Sequence, residues 1–141
     1  NLGGLGLMPP CSTYHRFAVG MTGDKMSSSK PETTIFMDDE VESMERKVKR
    51  AISGGQPTVE EHRRLGGDVS KDVAFQYLQF FFENDDAALA EVKSEYESGR
   101  MLAGEVKQIC IERATEWLSD LKEKRHQFED NVTDYLAPDA I

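Results

Sequence analysis

The residues best equipped for chemistry lie between Gly20 and Pro31, in the string GMTGDKMSSSKP. Lys25 brings a positive charge. Ser27, Ser28 and Ser29 bring hydroxyls and consecutive backbone N–H groups, and Lys30 adds a second cation. Gly20 and Gly23 permit hinge movement and unusual backbone angles, and Pro31 closes the segment. A loop of this make-up can fold over a polyphosphate and follow negative charge as it moves onto a leaving group. Met26, apolar amid these polar residues, is suited to pinning the loop to a pocket. A flexible serine-rich surface loop has the same composition, so composition by itself leaves both readings open.

Other reactive side chains are sparse. Cys11 and Cys110 show neither CxxC nor metal-ligand spacing and read as two reduced thiols, and no metal site is expected. His15, His62 and His126 read as structural or surface histidines. Two basic clusters stand out, Arg46, Lys47, Lys49 and Arg50, then Arg63 and Arg64. The net charge is −9, with residues 65–141 carrying 17 acidic and 8 basic side chains. So acidic a chain binds nucleic acid poorly in a non-specific way, and any such contact must be local and shape-guided. Phe75, Tyr77, Phe80, Phe81 and Phe82 have helical spacing, which favours a core stripe over a base-stacking platform. Phe80 falls off that stripe, toward a neighbouring domain, and Trp117 is expected in the core.

The elements that must position these residues follow from pattern. The 141 residues, 38% hydrophobic and 30% charged, suit one or at most two small domains. No apolar run approaches the ~20 residues of a membrane span, and the expected setting is the cytoplasm. The opening residues, NLGGLGLMPPC, read as the interior of a longer chain. Residues 1–37 are rich in Gly and Pro and read as loops with a short strand over Thr33–Met37. From residue 38 the pattern is helical. Asp38 or Asp39 caps a helix presenting Val41, Met44, Val48 and Ile52, stopped by Ser53-Gly54-Gly55. Thr58 and Glu61 form a capping-box pair for a short second helix ending near Gly66-Gly67. A third follows Asp68 with Val73, Tyr77, Leu78, Phe81 and Phe82 inward, and Asn84-Asp85 breaks it. A fourth carries Leu89, Val92 and Tyr96 to Ser98-Gly99. A long last helix runs from about Ala103 to Leu136, with Val106, Ile109, Trp117, Leu121, Phe128 and Val132 inward and an Asp120–Lys124 pair outside.

Lys25-Met26-Ser27-Ser28-Ser29 resembles the KMSKS signature of class I aminoacyl-tRNA synthetases, with Ser28 where the signature has its second lysine. KMSSS variants belong to the tryptophanyl and tyrosyl subgroup. TIFMDD (34–39), SGG (53–55), TVEEHRRLGGD (58–68), DVAFQYLQFF (72–81) and SGRMLAGEVK (98–107) follow in order. Together they resemble the C-terminal half of archaeal and eukaryotic tryptophanyl-tRNA synthetases.

That resemblance implies a mainly α chain. Residues 1–37 would be the loop-rich end of a Rossmann-like nucleotide-binding catalytic domain, and residues 38–141 an all-helical anticodon-binding domain. It implies ATP-dependent activation of tryptophan and transfer to its tRNA, with Mg²⁺ accompanying ATP and a homodimer as the full protein. Lys25, as the catalytic cation, and Met26, Ser27, Ser28, Ser29 and Lys30 would hold the ATP phosphates. Gly54, Gly55 and Gln56 fall where related sequences place anticodon contacts. Those chains often carry Arg-Asp after the glycines, where this one has Gln56-Pro57. Arg46, Lys47, Lys49 and Arg50 are the physical candidates for tRNA phosphate contact, which positions without specifying. No HIGH signature is found, so the chain alone is expected not to form the adenylate. A tyrosyl relative, chemically the same with another amino acid and tRNA, and a non-catalytic helical interaction module are the alternatives. Retention of Lys25 weighs against the last.

Overall fold

The computed structural model describes residues 11–14 and 17–129. His15, the opening residues, and Val132 and Leu136 of the expected last helix lie outside the described residues. Five α-helices form the body: α1 (Val41–Arg50), α2 (Val59–Leu65), α3 (Val73–Tyr77), α4 (Asp86–Glu97) and α5 (Ala103–Glu129). Helix α5 is the spine, packed against α1, α3 and α4. A short 3₁₀ turn at Pro31–Thr33 precedes them. Among the described residues there is no strand where Thr33–Met37 was expected. Thr34 is extended, but no neighbouring segment pairs with it as a ladder.

Capping chemistry sets most boundaries. Thr58 Oγ1 accepts from Glu61 N–H at 3.1 Å, and the Glu61 carboxylate meets the Thr58 hydroxyl at 3.3 Å. Asp85 accepts from the amides of Ala87 and Ala88. The α2 helix ends at Gly66, in the left-handed region at φ 74°. There a Cβ would fall 1.8 Å from the Glu97 carbonyl oxygen, so the close seating of α2 on the end of α4 needs glycine.

Several elements differ from the sequence expectation. Neither Asp38 nor Asp39 caps α1; Glu40 precedes it without a side-chain cap. Asp39 instead accepts from Phe36 N–H at 2.8 Å and Lys47 Nζ at 2.5 Å. The α1 helix stops at Arg50, before the glycines, and Ala51 rather than Ile52 completes its buried face. Its terminal carbonyls find a donor in a distant helix: Lys107 Nζ reaches Lys49 O at 3.0 Å and Ala51 O at 2.6 Å, satisfying groups that a helix end leaves open. Helix α3 starts at Asp72, not Asp68, and passes into a π-helical turn at Leu78–Phe82. That wider turn rotates the later aromatics, so Phe81 is 47% exposed while Tyr77 and Leu78 stay buried.

The core runs along one i,i+4 ridge of α5, Val106, Cys110, Ala114 and Leu118, beside Ile111. Met21, Met44, Val48, Val73, Phe75, Tyr77 and Tyr96 pack around it. Trp117 and Phe128, expected inward, are 38% and 51% exposed. Small Cys110 and Ala114 let α1 and α3 approach the spine where an indole would hold them off. The Asp120–Lys124 pair forms at 2.6 Å. Both cysteines are free, Cys11 exposed and Cys110 buried.

Candidate functional site

The loop from Met21 to Thr33 is pinched at its neck. Met21 N–H donates to Thr33 O at 2.9 Å, and Ile52 N–H to Met21 O at 3.0 Å. Ile52 O in turn accepts from Val73 N–H at 3.1 Å, so one extended residue joins the loop's base to the start of α3. Inside the neck, Gly23 takes φ 82°, and its amide closes on Gly20 O at 2.8 Å. A Cβ on Gly20 would meet the Thr33 carbonyl at 2.6 Å. Both glycines are therefore required by geometry as well as by any hinge movement.

The serines form a β-turn. Lys30 N–H donates to Ser27 O at 3.0 Å, which leaves Ser28 and Ser29 at the two central positions. The buried Thr33 hydroxyl clasps this turn, accepting from Ser27 N–H at 3.1 Å and donating to Lys30 O at 2.7 Å. The sequence reading missed Thr33, which it placed in a strand. Lys25, Ser28, Ser29 and Lys30 are exposed. Among the described residues the amides of Lys25, Met26, Ser28 and Ser29 have no acceptor, and neither lysine has an ion-pair partner. The Ser27 and Ser29 hydroxyls lie 2.9 Å apart. Such an array presents cations and free N–H donors to an anion. Met26 does pin the loop: half-buried, it packs on the core, and the Tyr77 hydroxyl donates to its Sδ at 3.3 Å. Burial pushes the Tyr77 phenol up to about 12, so it remains a protonated donor.

The basic end of α1 stands beside this loop. Arg46, Lys47 and Arg50 line a cleft of about 400 Å³ with Thr22, Pro31 and Glu32. The four cations of that helix end, Arg46, Lys47, Lys49 and Arg50, are not equivalent. Lys47 is held by Asp39 with both side chains nearly buried, 4.7 Å over the Phe36 ring. Lys49 pairs with Glu45 at 2.8 Å on the exposed face, outside the cleft. Arg46 and Arg50 are exposed with no ion-pair partner among the described residues. Of the second cluster, Arg63 is spent on the carbonyls of Gly99 and Arg100.

Gly55 and Gln56 lie apart from that cleft, in a shallow depression with Pro57, His62 and Ala103, and the adjoining Gly54 is buried. The turn is fixed from below by Asp72, a fully buried carboxylate. Asp72 accepts from Gly54 N–H at 3.1 Å, Tyr96 O–H at 2.8 Å and Phe75 N–H at 3.0 Å, the last as the cap of α3. Burial and the adjoining Asp72 charge raise the Tyr96 phenol. Gly54 can carry no side chain, since a Cβ would lie 1.9 Å from Asp68 O. Buried His62 steadies the other end. Its Nδ1 faces Gln56 N–H at 3.4 Å, which assigns the proton to Nε2, 2.9 Å from Met101 O. The Gln56 side chain donates to Gly66 O at 3.0 Å. Asp72 was not singled out from sequence. The available signal was its place three residues before Phe75, at the head of an apolar run.

Among the described residues no three His, Cys, Asp or Glu side chains converge to hold a metal ion. No helix among the described residues is long and apolar enough to cross a membrane.

Comparison with known proteins gives the chain a family. The family profile described as tRNA synthetases class I (W and Y) matches residues 2–119. The tryptophan–tRNA ligase of Methanocaldococcus jannaschii is 44% identical over 120 residues, covering 85% of this chain and 32% of that protein. That of Saccharolobus solfataricus is 44% identical over 131 residues, covering 91% and 34%. The crystal structure of tryptophanyl-tRNA synthetase from Aeropyrum pernix K1 superposes with a TM-score of 0.84 at 31% identity, over 91% of this chain and 35% of that one. The chain thus spans about a third of the length of the relatives it matches. Matched by the family profile along most of its length, and by relatives at this identity, the chain belongs to the class I tRNA synthetases of the tryptophan and tyrosine group.

Proposed function

We propose that this chain is the C-terminal part of a tryptophan–tRNA ligase that activates tryptophan with ATP and transfers it to its tRNA. The carrying observation is the Ser27–Lys30 turn beside Lys25, which displays unpaired amides and two unpaired cations at the surface. Negative charge builds on pyrophosphate as the tryptophan carboxylate attacks the α-phosphate, and such charge is met best by donors already in place. Lys25 is the principal cation. Ser27 holds the turn, Ser28 and Ser29 offer amides and hydroxyls, and Met26 anchors it. Lys30 is the candidate to replace the lysine that Ser28 displaces. Mg²⁺ would accompany ATP as part of the nucleotide.

Residues 1–37 then belong to the catalytic domain and 38–141 to an anticodon-binding domain. Arg46 and Arg50 are the stronger phosphate contacts, since Lys47 and Lys49 are already paired. Gly54, Gly55 and Gln56 form the candidate base-reading turn, with Gln56 held by Gly66 O. The full protein is read as a cytoplasmic homodimer. The test is aminoacylation by the full-length protein with tryptophan or tyrosine and their two tRNAs, beside Lys25→Ala. Charging with tryptophan alone, cut about 10²- to 10³-fold in the variant, is the expected result. Charging with tyrosine, or no charging by a folded protein, would overturn the reading.

A further inference from the structure

Tyr77 is 3% exposed, and its hydroxyl has one hydrogen-bond partner among the described residues, Met26 Sδ at 3.3 Å. A buried hydroxyl that loses its acceptor is destabilised by more than the bond itself was worth. Of these two partners, Met26 belongs to the loop and Tyr77 to the buried core. Tyr77 closes α3, whose first turn is capped by the buried Asp72. Phe81 and Phe82 flank its ring at 5.3 and 6.3 Å between centroids. The π-helical turn begins at the very next residue. Turns of this kind are uncommon and concentrate where a helix serves a site.

We propose that Tyr77 is a positioning residue for the phosphate loop, holding Lys25 and the Ser28–Ser29 turn in place through the sulfur of Met26. This rests on reading the loop as the one that binds ATP phosphates. Met26 is bonded to Lys25 on one side and Ser27 on the other, so displacing its side chain displaces both. The thioether is a weak acceptor. The tether therefore biases the loop toward one arrangement without locking it, as a loop that must release pyrophosphate requires. It acts on the nucleotide and leaves the amino-acid pocket untouched.

The experiment is pyrophosphate exchange by the full-length enzyme carrying Tyr77→Phe, Met26→Leu, both together, or Lys25→Ala. Tyr77→Phe should raise the KM for ATP about 3- to 10-fold, as expected for one lost neutral hydrogen bond, with the KM for tryptophan unchanged. Met26→Leu keeps the packing and removes the acceptor, so it should give the same ATP-specific rise. The double variant should be no worse than the larger single. Additive losses, equal losses for ATP and tryptophan, or unaltered ATP constants in both single variants overturn the proposal. If Lys25→Ala exchanges like the wild type, the phosphate-loop reading itself fails, a result separable from failure of the tether alone.

Discussion

Replacing Asp72 by alanine should be among the most damaging single changes in the described fold, although Asp72 touches no proposed ligand. Its carboxylate accepts from Phe75 N–H, Gly54 N–H and Tyr96 O–H at 2.8 to 3.1 Å, fully buried. Losing the α3 cap costs about 1 kcal/mol. Leaving the Gly54 amide and the Tyr96 hydroxyl unpaired in the interior costs about 1–3 kcal/mol each. The expected total is about 4 kcal/mol, read as a fall in the urea midpoint at constant slope in denaturation followed by circular dichroism. Asp72→Asn is the sharper test. If its oxygen stays on Phe75, its NH₂ group faces two donors. The Tyr96 hydroxyl can turn to accept, but the Gly54 amide cannot, so about 2 kcal/mol should remain lost. Tyr96→Phe should cost about 1 kcal/mol, and its combination with Asp72→Ala should cost less than the sum of the two. A loss below about 1 kcal/mol for Asp72→Ala, or an asparagine variant as stable as wild type, would refute the reasoning.

Two further outcomes are expected. Lys107→Met keeps the aliphatic stem but removes the donor to Lys49 O and Ala51 O, and should cost about 1–2 kcal/mol in the same denaturation; an unshifted midpoint would contradict it. Burial pushes Tyr77, ordinarily 10.0, and Cys110, ordinarily 9.0, each up to about 12. Both groups are then stabilising in their neutral forms, fully below their ordinary values and progressively less as pH rises toward 12. Stability measured from pH 8 to 12 should fall, and Tyr77→Phe should flatten the upper part of that fall.

What the sequence revealed and concealed divides along a physical line. Caps act through neighbours three residues away, so Thr58 and the stops at Gly66 and Gly99 could be read from the string, although Asp38, Asp39 and Asp68 are not the residues that open α1 and α3. The Lys25–Ser29 string was equally legible as a family signature, because a signature is a particular order of residues; its phosphate-binding role is the proposal made above. Long-range satisfaction was not legible. Nothing near Ala51 says that the end of α1 will be completed by Lys107, and nothing near Asp72 says that Gly54 and Tyr96 will converge on it. Hydrophobicity also misled where size decided. Trp117 carries far more apolar area than Ala114, yet the crossing of α5 with its partners takes the small residue. The π-helical turn leaves no signature in a 3.6-residue period, so Phe81 was expected inward.

The neck at Met21 and Thr33 has one more consequence. It is closed by main-chain groups, and so is the link through Ile52 to Val73. What holds the loop's base is thus indifferent to the side chains displayed at its tip. The tip can exchange a lysine for a serine, as at Ser28, without a stability penalty carried into the helices. Charge at exposed tip positions such as Ser28 and the folding of the helices can therefore be altered separately.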